Sequence, residues 1–215
     1  MTKPIWDFGQ VCQRTADTLR DRESALRLEQ AVYGLDALDE IAIVSLLADG
    51  LASSYCVARE VHYPSTVGRK LTHRPRCDLV LSDLGRPLRL DASPPTLFDA
   101  PNPCPPDEAL WLEVKIAFQF GQGGVHHKGY GRQWTSAVVA DLVKIEQEPL
   151  IRDAALALVV FNESQAILDK DLELFETLLA EKQVLAGFRR VQTTPVLDRI
   201  GHRLCSVALW PTIQR

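Results

Sequence analysis

The stretch ALWLEVKIAF, residues 109–118, sets a glutamate and a lysine two positions apart in an otherwise apolar run. Trp111, Glu113, Lys115 and Ala117 alternate with Leu110, Leu112, Val114, Ile116 and Phe118. A strand has a period of two, so Glu113 and Lys115 share one face and the other face is wholly apolar. Upstream, the stretch CDLVLSD places Asp78 on a face with Val80 and Ser82, opposite an apolar face of Cys77, Leu79 and Leu81. If these two strands pair, one acid from each meets across the ladder. Two neighbouring carboxylates supply the hard oxygen ligands that Mg²⁺ takes. An ammonium beside them can stabilise a hydroxide nucleophile or the charge growing on a phosphate. Asp/Glu-x-Lys occurs nowhere else in the chain, so no second register competes.

The remaining elements must position these side chains. Residues 5–34 read as two helices broken near Asp21. DALDEIAIVSLLADG reads as a helix, with Asp36 as N-cap, Asp39 completing a loose capping box, and Leu38, Ile41, Val44, Leu47 and Leu51 at helical spacing. YCVAREVHYP reads as a strand stopped by Pro64, followed by a basic loop over 65–76. Residues 85–109 hold seven of the 13 prolines, too many for regular helix or strand, and read as a stiff insertion between neighbouring strands. GQGGVHHKGYGR, with five glycines in 12 residues, lacks phosphate-loop spacing and reads as a mobile loop carrying His126 and His127. QWTSAVVADLVKIEQ is a helix, AALALVVF a strand covered on both faces, 165–185 a helix, and HRLCSVALW a closing strand. The order α-α-β-β-β-α-β-α-β predicts an α/β fold, a mixed central sheet flanked by helices. Residues 1–35 form an N-terminal helical extension and 36–215 the main domain.

Composition narrows the function. Hydrophobic residues make up 46% and charged residues 24%, enough for one large core. No run approaches the ~20 apolar residues of a membrane span, and the N-terminus lacks an apolar signal core. The five cysteines have no C-x-x-C pair, which argues against a zinc cage and a disulfide framework and suits a reducing cytoplasm. A net charge of -4 is unlike a general nucleic-acid coat protein. Its distribution is uneven. Residues 61–77 contain no acid but include Arg69, Lys70, His73, Arg74 and Arg76. Residues 114–140 contain no acid but include Lys115, His126, His127, Lys128 and Arg132. Each stretch abuts a candidate site carboxylate. Glu60 reads as a strand-surface acid, Trp111 as a packing residue, and Asp141 with Lys144 as an i, i+3 ion pair.

Taken together, Asp78, the Glu113-Val114-Lys115 triplet and Glu40 on the helix preceding the sheet resemble the PD-(D/E)xK, or restriction-endonuclease-like, phosphodiesterase superfamily. The resemblance covers roughly residues 36–162. It includes the helix carrying Asp141 and Lys144 after the E-x-K strand. Two features depart from the pattern: Cys77 stands where a proline is usual, and Asp78 and Glu113 lie 35 residues apart because of the proline-rich insertion. The resemblance implies a restriction-endonuclease-like core and metal-assisted hydrolysis of nucleic acid, with DNA the favoured form and a homodimer left open. Asp78, Glu113 and the backbone carbonyl of Val114 would hold Mg²⁺ or Mn²⁺, and Glu40 would complete the first or second shell. Lys115 would orient the attacking water, and Arg69, Lys70, Arg74, Arg76, Lys128 and Arg132 would contact nucleic acid. The alternative is a catalytically silent member of the same fold, kept as a binding or assembly module.

Overall fold

A computed structural model describes residues 6–66, 70, 74–90, 100–197 and 200–213. Part of the proline-rich insertion and the candidate Arg69 lie outside the described residues. The first helix, α1 (Phe8–Leu28), begins where the Asp7 side chain accepts the Gln10 N–H at 3.0 Å. It buries Val11, Cys12, Ala16, Leu19 and Leu26, a stripe at spacings of one and two turns. The break expected near Asp21 is absent. Asp21 lies on the solvent side beside Arg20, and a charge there leaves the backbone ladder intact. The helix ends instead through Gln30, which adopts φ 52 while its N–H returns to the Arg27 carbonyl.

A 3₁₀ turn, Leu35–Ala37, leads into α2 (Glu40–Leu51). The N-cap of α2 is Asp39, whose Oδ1 accepts the Ala42 N–H at 2.8 Å. Asp36, the cap expected from sequence, sits one turn too early and instead bonds His202. Then come β1 (Tyr55–His62), β2 (Arg76–Asp83), β3 (Leu110–Phe118), the single turn α3 (Tyr130–Gln133), α4 (Ser136–Glu146), β4 (Asp153–Asn162), α5 (Gln165–Glu181), β5 (Arg190–Pro195) and β6 (Leu204–Pro211). The six strands form one mixed sheet in the order β1-β2-β3-β4-β6-β5. β3 and β4 are parallel, joined by the crossover through α3 and α4, and every other pair is antiparallel.

The α/β class and the mixed sheet flanked by helices agree with the sequence pattern. The sixth strand, β5, was not foreseen. Its residues RVQTTP carry no apolar alternation because β5 lies on the sheet edge, partly exposed. One face of the sheet packs Leu79, Leu112, Val114 and Val159 against α1 and α2. The other packs Leu156, Leu158 and Trp210 against α4 and α5. α1 contributes to the first cluster and packs on β5 and β6, so the N-terminal segment shares the core of the main domain. Among the described residues no helix is long and apolar enough to cross a membrane. All five cysteines are unpaired.

Candidate functional site

The β2–β3 ladder registers Leu81 with Leu110, Val80 with Trp111 and Leu79 with Leu112. One further step would set Asp78 opposite Glu113, and there the ladder stops. The cause lies next door in β1, where Glu60 adopts φ 51, a left-handed backbone in the middle of a strand. β1 and β2 keep one register on both sides of Glu60, but their faces exchange. Before it, Arg59 reaches α2, donating to Ser45 Oγ at 3.1 Å. After it, Val61 packs with Val80 and Trp111 on the opposite face. β2 does the same. Leu79 and Leu81 face α1 and α2, whereas Cys77 joins Val80, Trp111 and Tyr63. Strict alternation placed Cys77 with Leu79 and Leu81, and the kink turns it over. Asp78 sits at the crossover. Its Oδ2 accepts the Val114 N–H at 2.7 Å, where a regular ladder would use a backbone carbonyl.

Glu113 is only 2% exposed. Its Oε1 accepts the Tyr63 hydroxyl at 2.6 Å and lies 2.5 Å from Lys144 Nζ. Tyr63 stacks on Trp111 with centroids 5.6 Å apart, and Lys144 Nζ lies 5.3 Å from the Tyr63 ring centre. Lys115 extends from the same face of β3. Its Nζ is 3.0 Å from Glu40 Oε1 and 3.6 Å from Asp141 Oδ2, and Lys144 Nζ is 3.0 Å from Asp141 Oδ1. The result is a chain of alternating charge, Glu40–Lys115–Asp141–Lys144–Glu113. It runs from a side chain 45% exposed to one almost wholly buried.

The electrostatics follow. Burial pushes the Glu113 carboxyl up to about 7, and the Asp78 charge adds to this against the pull of Lys144 and the Tyr63 hydrogen bond. Burial alone would lower Lys115, but its bond to Glu40 and the charges of Glu40, Asp78 and Asp141 hold it above the ordinary value. Lys144 is likewise depressed by burial and raised, on balance, by Glu113 and Asp141. Burial, then Glu113 and Asp78, drive the Cys77 thiol well up, so it stays neutral and serves as packing. Four carboxylates (Glu40, Asp78, Glu113, Asp141) face two ammonium groups (Lys115, Lys144). Two negative charges are therefore uncompensated when all are ionised.

This donor set fits a hard divalent cation. No group of three or more His, Cys, Asp or Glu side chains among the described residues is gathered for a metal. Mg²⁺, however, commonly takes one or two carboxylates and several waters. Asp78 and Glu113 are donors of that type, with Asp78 bonded to the N–H of the residue after Glu113.

Of the four principal candidates, Asp78 bonds the Val114 N–H beside Glu113, Lys115 bonds Glu40, and Glu113 is held by Tyr63 and Lys144. Glu40 is exposed and acts on Lys115. Sequence reasoning did not assign Tyr63, and it read Asp141 and Lys144 as a local pair on the helix that the resemblance includes, without a role at the site. Their i, i+3 spacing was visible, but the long-range bonds were not. Of the cationic candidates, Lys70, Lys128 and Arg132 are exposed, Arg74 is partly buried, and Arg76 lies 3.7 Å from Glu60. Because β2 runs antiparallel to β1 and β3, the end of β1, the start of β2 and the end of β3 share one end of the sheet. Both acid-free stretches begin there. Compared with protein-family models, with curated proteins and with solved structures, the chain matches none of them.

Proposed function

We propose that this protein is a metal-dependent nuclease of the PD-(D/E)xK kind, hydrolysing phosphodiester bonds in nucleic acid, with DNA the favoured form. One observation supports the reading: where the β2–β3 ladder ends, Asp78 bonds the Val114 N–H inside the Glu113-Val114-Lys115 triplet, and Lys115 bonds Glu40 from 75 positions away. Asp78, Glu113 and the Val114 carbonyl would hold Mg²⁺ or Mn²⁺, which when bound polarises a phosphoryl oxygen and stabilises the leaving oxygen. Lys115 supplies a charged donor to orient water or the phosphate, and Glu40 and Asp141 fix its position. Tyr63 and Lys144 hold the Glu113 carboxylate in one orientation. Five unpaired cysteines suit a reducing cytoplasm.

A second reading, the catalytically silent module, draws on a different observation. Glu113 Oε1 is already engaged by Tyr63 and Lys144, so the charge chain also works as a closed structural ion-pair network. Incubation with Mg²⁺ or Mn²⁺ and a panel of single- and double-stranded DNA and RNA separates the two. The nuclease reading expects cleavage that EDTA abolishes and that Lys115→Ala lowers by about 10²- to 10³-fold, the loss seen when one donor to a developing charge is removed. Metal-independent inertness of the parent toward every substrate would leave only the silent module.

A further inference from the structure

Beside the charge chain lies a cleft of about 740 Å³ that the nuclease assignment does not use. One wall is the turn after α1, with Tyr33 and Asp36, continuing to Asp39 at the start of α2. The other is Phe118, Phe120 and the glycine-rich loop with His127. His202, 2% exposed, joins the two walls. Its Nε2 accepts the Phe120 N–H at 3.1 Å, so its proton resides on Nδ1, which donates to Asp36 Oδ2 at 2.9 Å. Gly201 permits this closeness: it adopts φ +93, and a Cβ there would meet the Phe120 ring at 2.8 Å. The cleft adjoins the proposed site on both walls. Asp39 precedes Glu40, and Phe118 is three residues beyond Lys115, roughly 10 Å along the strand.

We propose that this cleft receives an unpaired nucleobase, so that the substrate is single-stranded or locally unpaired nucleic acid whose phosphate lies at Lys115. This rests on the nuclease reading above. Three properties of the cleft select a base. Its volume lies within the range of pockets that enclose small molecules, and a base still stacked inside a duplex cannot enter it. Its rings include Tyr33, a large side chain left 70% exposed to water, which a stacked base would cover. Its lining has two carboxylates, Asp36 and Asp39, and no lysine or arginine among the described residues. That charge repels a phosphate but accepts the amino hydrogens of a base edge. His127 adds a donor: its Nδ1 accepts the Gly129 N–H at 3.1 Å, so the neutral ring carries its proton on Nε2.

Equilibrium binding of a short fluorescent oligonucleotide in EDTA, where cleavage is silent, tests the assignment. The single strand should bind at least tenfold more tightly than a duplex of the same sequence. Tyr33→Ala should weaken single-strand binding about five- to 150-fold, the range that base–aromatic stacking of ~1–3 kcal/mol gives at ~1.36 kcal/mol per tenfold. Tyr33→Phe, which keeps the ring, should restore it. The exposure of Tyr33 makes loss of folding an inadequate explanation for the alanine result. Equal binding of single strand and duplex, with Tyr33→Ala silent, overturns the cleft assignment even where Lys115-dependent cleavage of duplex DNA leaves the nuclease reading standing. Tyr33-dependent binding of the single strand without metal-dependent cleavage does the reverse. Absence of any nucleic-acid binding removes both.

Discussion

A carboxylate sealed from water beside a second carboxylate keeps its proton to a higher pH than one in solvent. Glu113 is in that position, pushed from 4.5 to about 7 by burial first and then by Asp78. The linkage to folding has a definite sign. Between these values the folded chain binds more protons at Glu113 than the unfolded chain, so the contribution of this group to stability is greatest below about 4.5 and is lost as pH rises through about 7. The difference corresponds to on the order of 3 kcal/mol. Glu113→Gln keeps an acceptor for Tyr63 and removes the titration. In urea unfolding, its stability relative to the parent should rise by about that amount between about pH 5 and about pH 8. Parallel profiles for the two proteins would show that Glu113 does not titrate in this window. The candidate acids and Lys115 were legible in sequence because two-residue alternation marks a charge on a sheltered face. Tyr63 was not, because its hydroxyl reaches Glu113 across 50 positions with no local signature.

The geometry of the site belongs to two elements, β1 and β2, and to the kink they share. Glu60 at φ 51 exchanges the faces of both strands and turns Asp78 toward the Val114 N–H. In an ordinary edge strand valine would be favoured over glutamate. Here the order should reverse, because a β-branched residue at positive φ is a genuine outlier. Glu60→Val is expected to cost about 1–3 kcal/mol. Glu60→Gly should be neutral or up to ~1 kcal/mol stabilising, since it relieves the strained backbone at the cost of chain entropy and an exposed pairing with Arg76. Denaturant midpoints for the two variants decide this, and a more stable valine variant would mean the strand runs straight at Glu60. This kink also marks where sequence reading stops. Helical and strand periods located five of the six strands and helices α1, α2, α4 and α5, but not the single turn α3, which falls in the stretch read as a loop, and nothing in VAREVH announces a change of face. β5 escaped because an exposed edge strand has no apolar rhythm. The break expected near Asp21 fails because a solvent-facing acid leaves the helical ladder intact.

At the scale of the whole molecule the question is how a chain of net charge -4 could hold a polyanion at a site that is itself acidic. The topology offers an answer that composition alone did not. The acid-free stretches 61–77 and 114–140 begin at the same end of the sheet, next to Asp78 and Glu113. The charge that counts is local, and the Debye length at physiological salt, about 8 Å, screens the acids elsewhere on the surface. Phosphates held by this rim would release counterions, giving a steep salt dependence of ~0.7–0.9 in log–log slope per contact. Neutralising Arg74, Arg76 and Lys128 together to glutamine should therefore weaken nucleic-acid binding most at low salt. It should also flatten the slope by about 2–3 if each makes one phosphate contact. The effect of Arg76 should be smaller than that of the exposed Lys128, because Glu60 already shares its charge at 3.7 Å. The Glu113 titration, set by burial and Asp78, should be unchanged in the triple variant, which separates loss of the rim from damage to the site. Equal binding by parent and variant at every salt concentration would make these cations an ordinary solvated surface and move the weight of recognition to the aromatic cleft.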